Sequence, residues 1–377
     1  MGPLDGVLVA DFSRVLAGPY ATMLLGDMGA RIVKVEPPAG DDTRHWGPPW
    51  TADGQSTYYQ SINRNKSSLV LDLRDPDDLV LARRLAGRAD VLVENFRSGT
   101  MDRLGLGYDV VRRDNPGVVY CSITGFGPAG GAGMPGYDLV VQAVSGLISL
   151  TGTSPEEVTK TGIATADVLT GLHAALGVLA ALRHRDRTGE GQRIDANLLS
   201  SMLSGLVNFG GAYVQAGDVG HAMGIRHPGI CPYEPFATAD RPLVVAAGND
   251  SLFRRLCACL DLPDLAEDRR FATNGSRVAH REELAAILEP VLRGDTADAW
   301  FARLTDAGVP CGPINDVAQG MALAESLGLE PVVDADGSPQ VANPLRFSAT
   351  PVDYRCAPPA LNADEKQLRA WLEEGRP

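Results

Sequence analysis

Apolar residues in the first two hundred positions follow two alternating patterns. Short continuous runs at Val7–Asp11, Ala30–Val35, Val70–Leu73, Val91–Glu94 and Val118–Ile123 read as β-strands. Between them, Gly18–Met28 reads as a helix closed by Gly29, a C-cap signal, and Asp75–Arg88 as another. Strands alternating with helices predict a parallel sheet wrapped by helices. Further on, Tyr137–Leu150 reads as helical, followed by a long apolar helix that carries Asp167 and closes at Gly189 and Gly191. Gln192–Asp195 reads as one more strand, and Leu198 to about Gln215 as a helix.

The pattern changes near Gly217–Cys231, a stretch rich in Gly, His and Pro. Beyond it, Leu243–Ala247 reads as a strand, and Asp250–Leu260, Arg281–Leu292 and Thr296–Ala307 as helices. The expected fold is therefore α/β. A large Rossmann-like domain with a parallel sheet spans 1–224, and a smaller α+β domain spans 225–325. A tail, 326–377, ends in a polar helix at Asp364–Glu374. A chain of 377 residues has room for this arrangement.

Charge narrows the partners. With 34 basic and 47 acidic residues the formal charge is −13, which opposes nucleic-acid binding, since phosphate backbones call for a basic stripe. Yet Arg31, Lys34, Arg44, Arg64, Lys66, Arg74, Arg97 and Arg103 gather in the first hundred residues. Such a set suits a small polyphosphate ligand, although ordinary surface charge mixing accounts for some of it. No apolar run reads as long and charge-free enough to span a bilayer. The N-terminus, MGPLDGVLVADFSR, lacks a secretion-signal pattern. A cytoplasmic protein with no membrane partner is expected. The six cysteines stand outside any CxxC motif and read as reduced core thiols. The histidines are not clustered, so no metal site is expected.

Asp167 is the conspicuous chemical feature. Val168, Leu172, Ala175, Leu179 and Leu182 recur at helical spacing and predict a core stripe. Asp167 lies on the neighbouring face with Gly171, Ala174, Val178 and Ala181, where small residues would let a molecule approach the carboxylate. An unpaired carboxylate in apolar surroundings is costly, and the helix N-terminus favours its charged form. By itself Asp167 admits two roles, a helix cap or a nucleophile. Thr165 is an equally good cap candidate.

Blocks spread in order along the chain add to this reading. They are DFSRVLAGPYATMLLGDMGARIVKVEPPAGDDTR (Asp11–Arg44), NRNKSSLVLDL (Asn63–Leu73), VLVENFRSGTMDRLGL (Val91–Leu106) and GYDLVVQAVSGL (Gly136–Leu147). After the Asp167 helix come RTGEGQRIDANLL (Arg187–Leu199), HPGICPYEPF (His227–Phe236) and GVPCGPIND (Gly308–Asp316). Together they resemble the class III CoA-transferases, the group containing formyl-CoA transferase and carnitine CoA-transferase. The resemblance implies that the tail rejoins the large domain and that two subunits interlock as a homodimer. It makes coenzyme A and acyl-CoA substrates, with no tightly bound cofactor. It casts Asp167 as a nucleophile passing through an aspartyl anhydride and an aspartyl-CoA thioester.

The same resemblance places Val15, Leu16 and Ala17 beside the pantetheine arm. It places Arg44, Lys66, Leu73, Asn95, Phe96 and Arg103 around the nucleotide end, where cations suit phosphates and an aromatic ring suits adenine. Tyr137 is expected to line the acyl pocket, and Gln142 to offer an amide to the reacting carboxyl group. The glycine-rich stretch Gly125–Asp138 would border the CoA channel. HPGICPYEPF holds no glycine run where formyl-CoA transferase has one, and looks more like transferases that move succinyl-CoA onto dicarboxylic acids. Arg226 and His227 would then pair with a distal carboxylate, or simply belong to a loop held by Pro228 and Pro232.

Other functions weigh less. Related acyl-CoA racemases carry a histidine at GHD, where this chain reads GYD at 136–138. Proton exchange at carbon needs a group that readily takes and returns a proton, which opposes the racemase alternative. A nicotinamide dehydrogenase is opposed by the missing GxGxxG. A CoA-binding protein without catalysis is separated by Asp167→Asn, in which a pure binder should keep its affinity and lose nothing else.

Overall fold

The computed structural model describes residues 2–374. Six strands, β1 (Leu8–Asp11), β2 (Arg31–Glu36), β3 (Lys66–Val70), β4 (Val91–Glu94), β5 (Val119–Thr124) and β6 (Arg193–Asn197), form one sheet in the order β3-β2-β1-β4-β5-β6. Every pairing in it is parallel. Parallel strands need crossovers, which cover both faces with helices, so such strands are apolar on both sides. In β1, Val9 enters a core shared with helices α1 (Ala17–Asp27) and α4 (Thr165–Thr188). Its neighbour Ala10 enters the opposite core, with α2 (Pro76–Arg88) and the C-terminal helix Glu365–Glu373. A third helix that matters below, α3, spans Asp138–Val144.

The chain forms two compact units. The larger holds residues up to 148, 160–219 and those from 330 onward. The smaller holds 149–159 and 220–329. In the smaller unit an antiparallel sheet of Tyr233–Phe236, Leu243–Ala246 and Cys311–Pro313 meets helices around Phe236, Phe253, Leu288 and Trp300.

Several sequence expectations need correction. β3 lies at Lys66–Val70, upstream of Val70–Leu73. Its first residues are polar, and they are buried because Lys66 meets Asp11 and Ser68 Oγ donates to Glu36. Tyr137–Leu150 splits at Gly146 (φ 91°) into α3 and Leu147–Leu150. The helix expected from Leu198 to about Gln215 splits into Leu198–Gly205 and Val207–Ala216. By length and composition α4 is apolar enough to cross a membrane, against the sequence expectation; here it packs on α1, β5 and β6. Among the cysteines, Cys121, Cys231 and Cys257 are buried, but Cys356 is exposed and so is no core thiol.

The buried side of α4 is only in part the predicted one. Ala175 and Leu182 are buried as expected and Leu179 packs against the core, but Ala166, Thr170, Gly171, Ala174, Val178 and Ala181 also face inward, whereas Leu172 and Leu176 are exposed. The small residues admit the neighbouring helix, not a ligand. A Cβ on Gly171 would stand 2.7 Å from the Ala17 carbonyl oxygen of α1.

The tail completes the large unit. β3 is an edge strand, and unpaired edge groups invite unwanted pairing. Asp364 and Asn362 side chains accept from the Ser68 and Val70 backbone N–H groups, each at 2.9 Å. Asp27, at the end of α1, gathers four donors: Arg64 Nε (2.9 Å) and Nη2 (2.7 Å), Asn65 Nδ2 (2.9 Å) and the tail's Asn343 Nδ2 (3.0 Å).

Candidate active site

In an open parallel sheet, ligands enter where the strand order reverses, outside the carboxyl ends of the strands. Here the reversal falls between β1 and β4. The loops after β1, β4 and β5, together with Gly131–Tyr137 and Asp167, enclose a cavity of about 250 Å³ at that place.

The loop after β1 is fixed by buried side chains. Asp11 accepts from Ser13 N–H (3.0 Å) and from the Ser13 hydroxyl. Lys34 donates to the Ser13 carbonyl (3.0 Å) and to Asp41 (2.9 Å), and Asp41 in turn accepts the Val15 N–H at 3.3 Å. Asn95 accepts from Arg14 N–H (2.8 Å) and donates to the Arg14 carbonyl (2.7 Å). These bonds hold Val15 at φ 68°, a left-handed conformation that a β-branched residue adopts only under constraint. Burial raises the Asp11 carboxyl, but Lys66 and Lys34 outweigh it and leave Asp11 below the usual range. Burial takes Lys66 down to about 8.

Asp167 stands in the first turn of α4. It does not cap that helix, and neither does Thr165. The Ala166 and Asp167 N–H groups donate to Asp138 Oδ1 at 2.8 and 3.3 Å, so the cap comes from α3. Gln142 locks Asp138 in place, donating to its Oδ2 at 2.6 Å and to the Ile163 carbonyl at 3.2 Å. The Gln142 amide oxygen accepts from Thr161 N–H and Oγ1, both at 3.1 Å. With both ends of its amide engaged, Gln142 positions Asp138 and has no donor left for a reacting carboxyl group.

Among the described residues the Asp167 carboxylate accepts no hydrogen bond. Burial pushes it up to about 7, with the negative Asp138 adding to the shift. The expectation that the helix N-terminus keeps it charged therefore fails. Desolvation dominates, and Asp138 already occupies the positive end of the helix. Tyr58 belongs to the same surroundings. Burial first, then the charges of Asp167, Asp138 and Asp41, push its phenol up to about 12, so it stays a neutral hydroxyl. Trp46 packs edge-on against Tyr58, with ring centroids 5.2 Å apart.

These shifts set a pH dependence. A carboxyl titrating near 7 is half charged there, and only the charged form is a nucleophile. We expect kcat/KM for acyl-CoA to rise with pH through about 7 and level off above it. A flat profile between pH 5 and 8 would contradict this. In stability the sign is opposite. The raised folded value favours the protonated native state, a contribution present below about 4 and lost as pH rises through 7.

Val15, Leu16, Ala17, Asn95, Phe96, Tyr137 and Asp167, all anticipated from the sequence, line one cavity. Arg44, Lys66, Leu73 and Arg103 do not. Arg44 forks onto Glu36 (2.8 and 2.7 Å) and stacks on Tyr59, and Lys66 sits 3.1 Å from Asp11. Buried carboxylates hold both cations, because an unpaired charge in the interior is costlier than a pair. Leu73 packs against the core beside α2, and Arg103 donates to Thr100. In the smaller unit, Arg226 pairs with Glu234 (2.8 Å) and Glu282, and the His227 ring accepts from Gly229 N–H (3.1 Å). The Arg226 charge is thus taken by carboxylates of its own unit, whereas His227, accepting at Nδ1, keeps an Nε2 donor. The sequence reading missed Tyr58, the capping role of Asp138 and, above all, Arg14, which lines the cavity. The signal for Arg14 was its place in the first strand-to-helix turn, where this sheet order gathers ligands.

The fold and the site define an α/β protein with a switch-point cavity lined by a half-buried carboxylate. Residues 4–365 match CoA-transferase family III, and the chain belongs to that family. It is a CoA-transferase, as are the curated relatives it resembles. The succinate–glutarate CoA-transferase of Agrobacterium fabrum is 43% identical over 98% of this chain and 96% of its own length. The succinyl-CoA:glutarate CoA-transferase of Homo sapiens is 40% identical over 95% of this chain and 83% of its own. Among solved structures, a CaiB/BaiF family protein from Brucella suis superposes with a TM-score of 0.89 at 40% identity, covering 99% of this chain and 100% of that one.

Proposed function

We propose that this enzyme moves CoA from succinyl-CoA to a small dicarboxylic acid, through Asp167. The observation that carries the mechanism is the half-buried Asp167 carboxylate, which lines the cavity and accepts no hydrogen bond among the described residues. Its oxygen attacks the thioester carbonyl, the C–S bond breaks, and CoA thiolate leaves behind an aspartyl–acyl anhydride. The thiolate then attacks the aspartyl carbonyl, releasing the donor acid and forming an aspartyl-CoA thioester. The acceptor carboxylate repeats both steps in reverse order. Each step exchanges one activated carbonyl for another, and both intermediates require that water be kept out.

The named activities of the relatives support succinyl-CoA as donor and a diacid such as glutarate as acceptor. Tyr137 opposes racemisation, since a phenol takes up a proton poorly at neutral pH. The test is incubation with succinyl-CoA and a pool of mono- and dicarboxylic acids, followed by mass spectrometry. New CoA esters of diacids are expected. Return of the starting thioester deuterated at its α-carbon from heavy water, without new esters, would overturn the reading.

We also propose that the protein acts as an interlocked homodimer. Leu172 and Leu176 of α4 and Val207, Tyr213 and Val214 of the following helical pair are large exposed apolar side chains, the kind of surface a second copy covers.

A further inference from the structure

Arg14 differs from the other buried or half-buried arginines of the large unit in having its charge unspent. Arg44 and Arg64 fork onto Glu36 and Asp27. The Arg14 guanidinium donates no hydrogen bond among the described residues. Its one ionic contact is Asp42 at 4.0 Å, with side chains 41% and 59% exposed, too loose and too wet to neutralise it. Everything else about Arg14 is held firmly. Asn95 grips its backbone N–H and carbonyl, and the guanidinium lies 5.4 Å from the centroid of the Phe96 ring. Arg14, Asn95, Phe96 and Asp167 line the same cavity.

A second cation there, Arg97, occupies a different position. It is shared with an adjoining cavity lined by Glu94, Asp102, Tyr108 and Arg193, in which neither Arg14 nor Asp167 takes part. Arg97 thus faces both cavities, and its charge can serve a group held in the adjoining one, such as a phosphate of the thioester. Arg14 shares the nucleophile's cavity and does not line the adjoining one.

We propose that Arg14 selects the diacid, its guanidinium taking the carboxylate that is not being activated while the other reacts at Asp167. This rests on the proposed transfer reaction and adds the group that sets its specificity. An Arg fork matches a carboxylate with two parallel N–H···O bonds. A site built to hydrogen-bond a substrate group rejects analogues lacking it far more strongly than an apolar pocket rejects a missing methylene. A monocarboxylic acid would leave the Arg14 fork without a partner.

The experiment compares wild type, Arg14→Gln and Arg14→Lys with succinyl-CoA as donor. Glutarate and pentanoate, equal in carbon number, serve as acceptors, the monoacid being measured as competitive inhibitor where it is not turned over. Wild-type transfer to any acid is scored first, and its absence would sink the transfer reading before any variant is made. Given transfer, the preference for glutarate over pentanoate is expected to fall by about 100-fold in Arg14→Gln. Partial recovery is expected in Arg14→Lys, which keeps the charge but loses the fork. The inhibition constant of free CoA should move much less. An equal loss with both acids, no loss with either, or a change confined to free CoA would overturn the assignment. The last outcome would make Arg14 a phosphate ligand.

Discussion

Asp167→Ala is expected to lose CoA transfer by at least about 10⁴-fold while still binding CoA, because removing a nucleophile leaves only binding and positioning to act. No other carboxylate in the cavity is placed to substitute. Asp42 is exposed, and Asp138 is occupied by the backbone N–H groups of α4 and by Gln142. The variant should fold. Asp167 makes no cap for its helix, and deleting a carboxyl that is costly to charge relieves the protein above pH 7. Equilibrium dialysis with CoA and a transfer assay on the same preparation decide the matter. Transfer at the wild-type rate would end the covalent mechanism, whereas loss of both transfer and CoA binding would mean a collapsed site.

The largest effect on stability is expected at Arg64, far from the chemistry. Arg64 is 2% exposed and Asp27 fully buried. Removing one partner of a buried pair leaves an uncompensated charge, which costs about 3–5 kcal/mol. Arg64→Ala should lose about that much in urea unfolding, and also its bond to the Val341 carbonyl. Asn343→Ala removes one neutral donor from the same carboxylate and should cost less, on the order of 1–3 kcal/mol. Since both act on Asp27, the double variant should not be additive. A loss below about 1 kcal/mol for Arg64→Ala would mean that water replaces the guanidinium and that the site is not dry.

The alternating pattern of the N-terminal half made the parallel sheet legible, because strands covered on both faces must be apolar throughout. Where a strand begins on polar residues, as β3 does at Lys66, the pattern misplaced it; the partners that bury those residues, Asp11 and Glu36, are distant in sequence. Asp167 was legible as a lone acid in an apolar helix, but its environment was not. The sign of its shift depends on Asp138 and on burial, and neither follows from spacing along one helix. Cations were the least legible feature. Arg44 and Lys66 read as phosphate ligands, yet each has an internal carboxylate that only the fold brings near, while Arg14 was left unspent.

The large unit is not continuous along the chain. Its edge strand and Asp27 both wait for residues beyond 340, which follow the whole of the smaller unit. During synthesis, domains generally fold as units from the N-terminus, at about 5–20 residues per second. Here the first-made half emerges with an open strand edge and a buried acid short of one of its four donors, and keeps them until the last segment leaves the ribosome. That interval, on the order of ten seconds or more for the intervening residues, is when the nascent chain is most exposed to misassembly. A premature stop that removes Asn343, Asn362 and Asp364 should therefore yield a protein that is cleared or aggregated, not merely a less active enzyme.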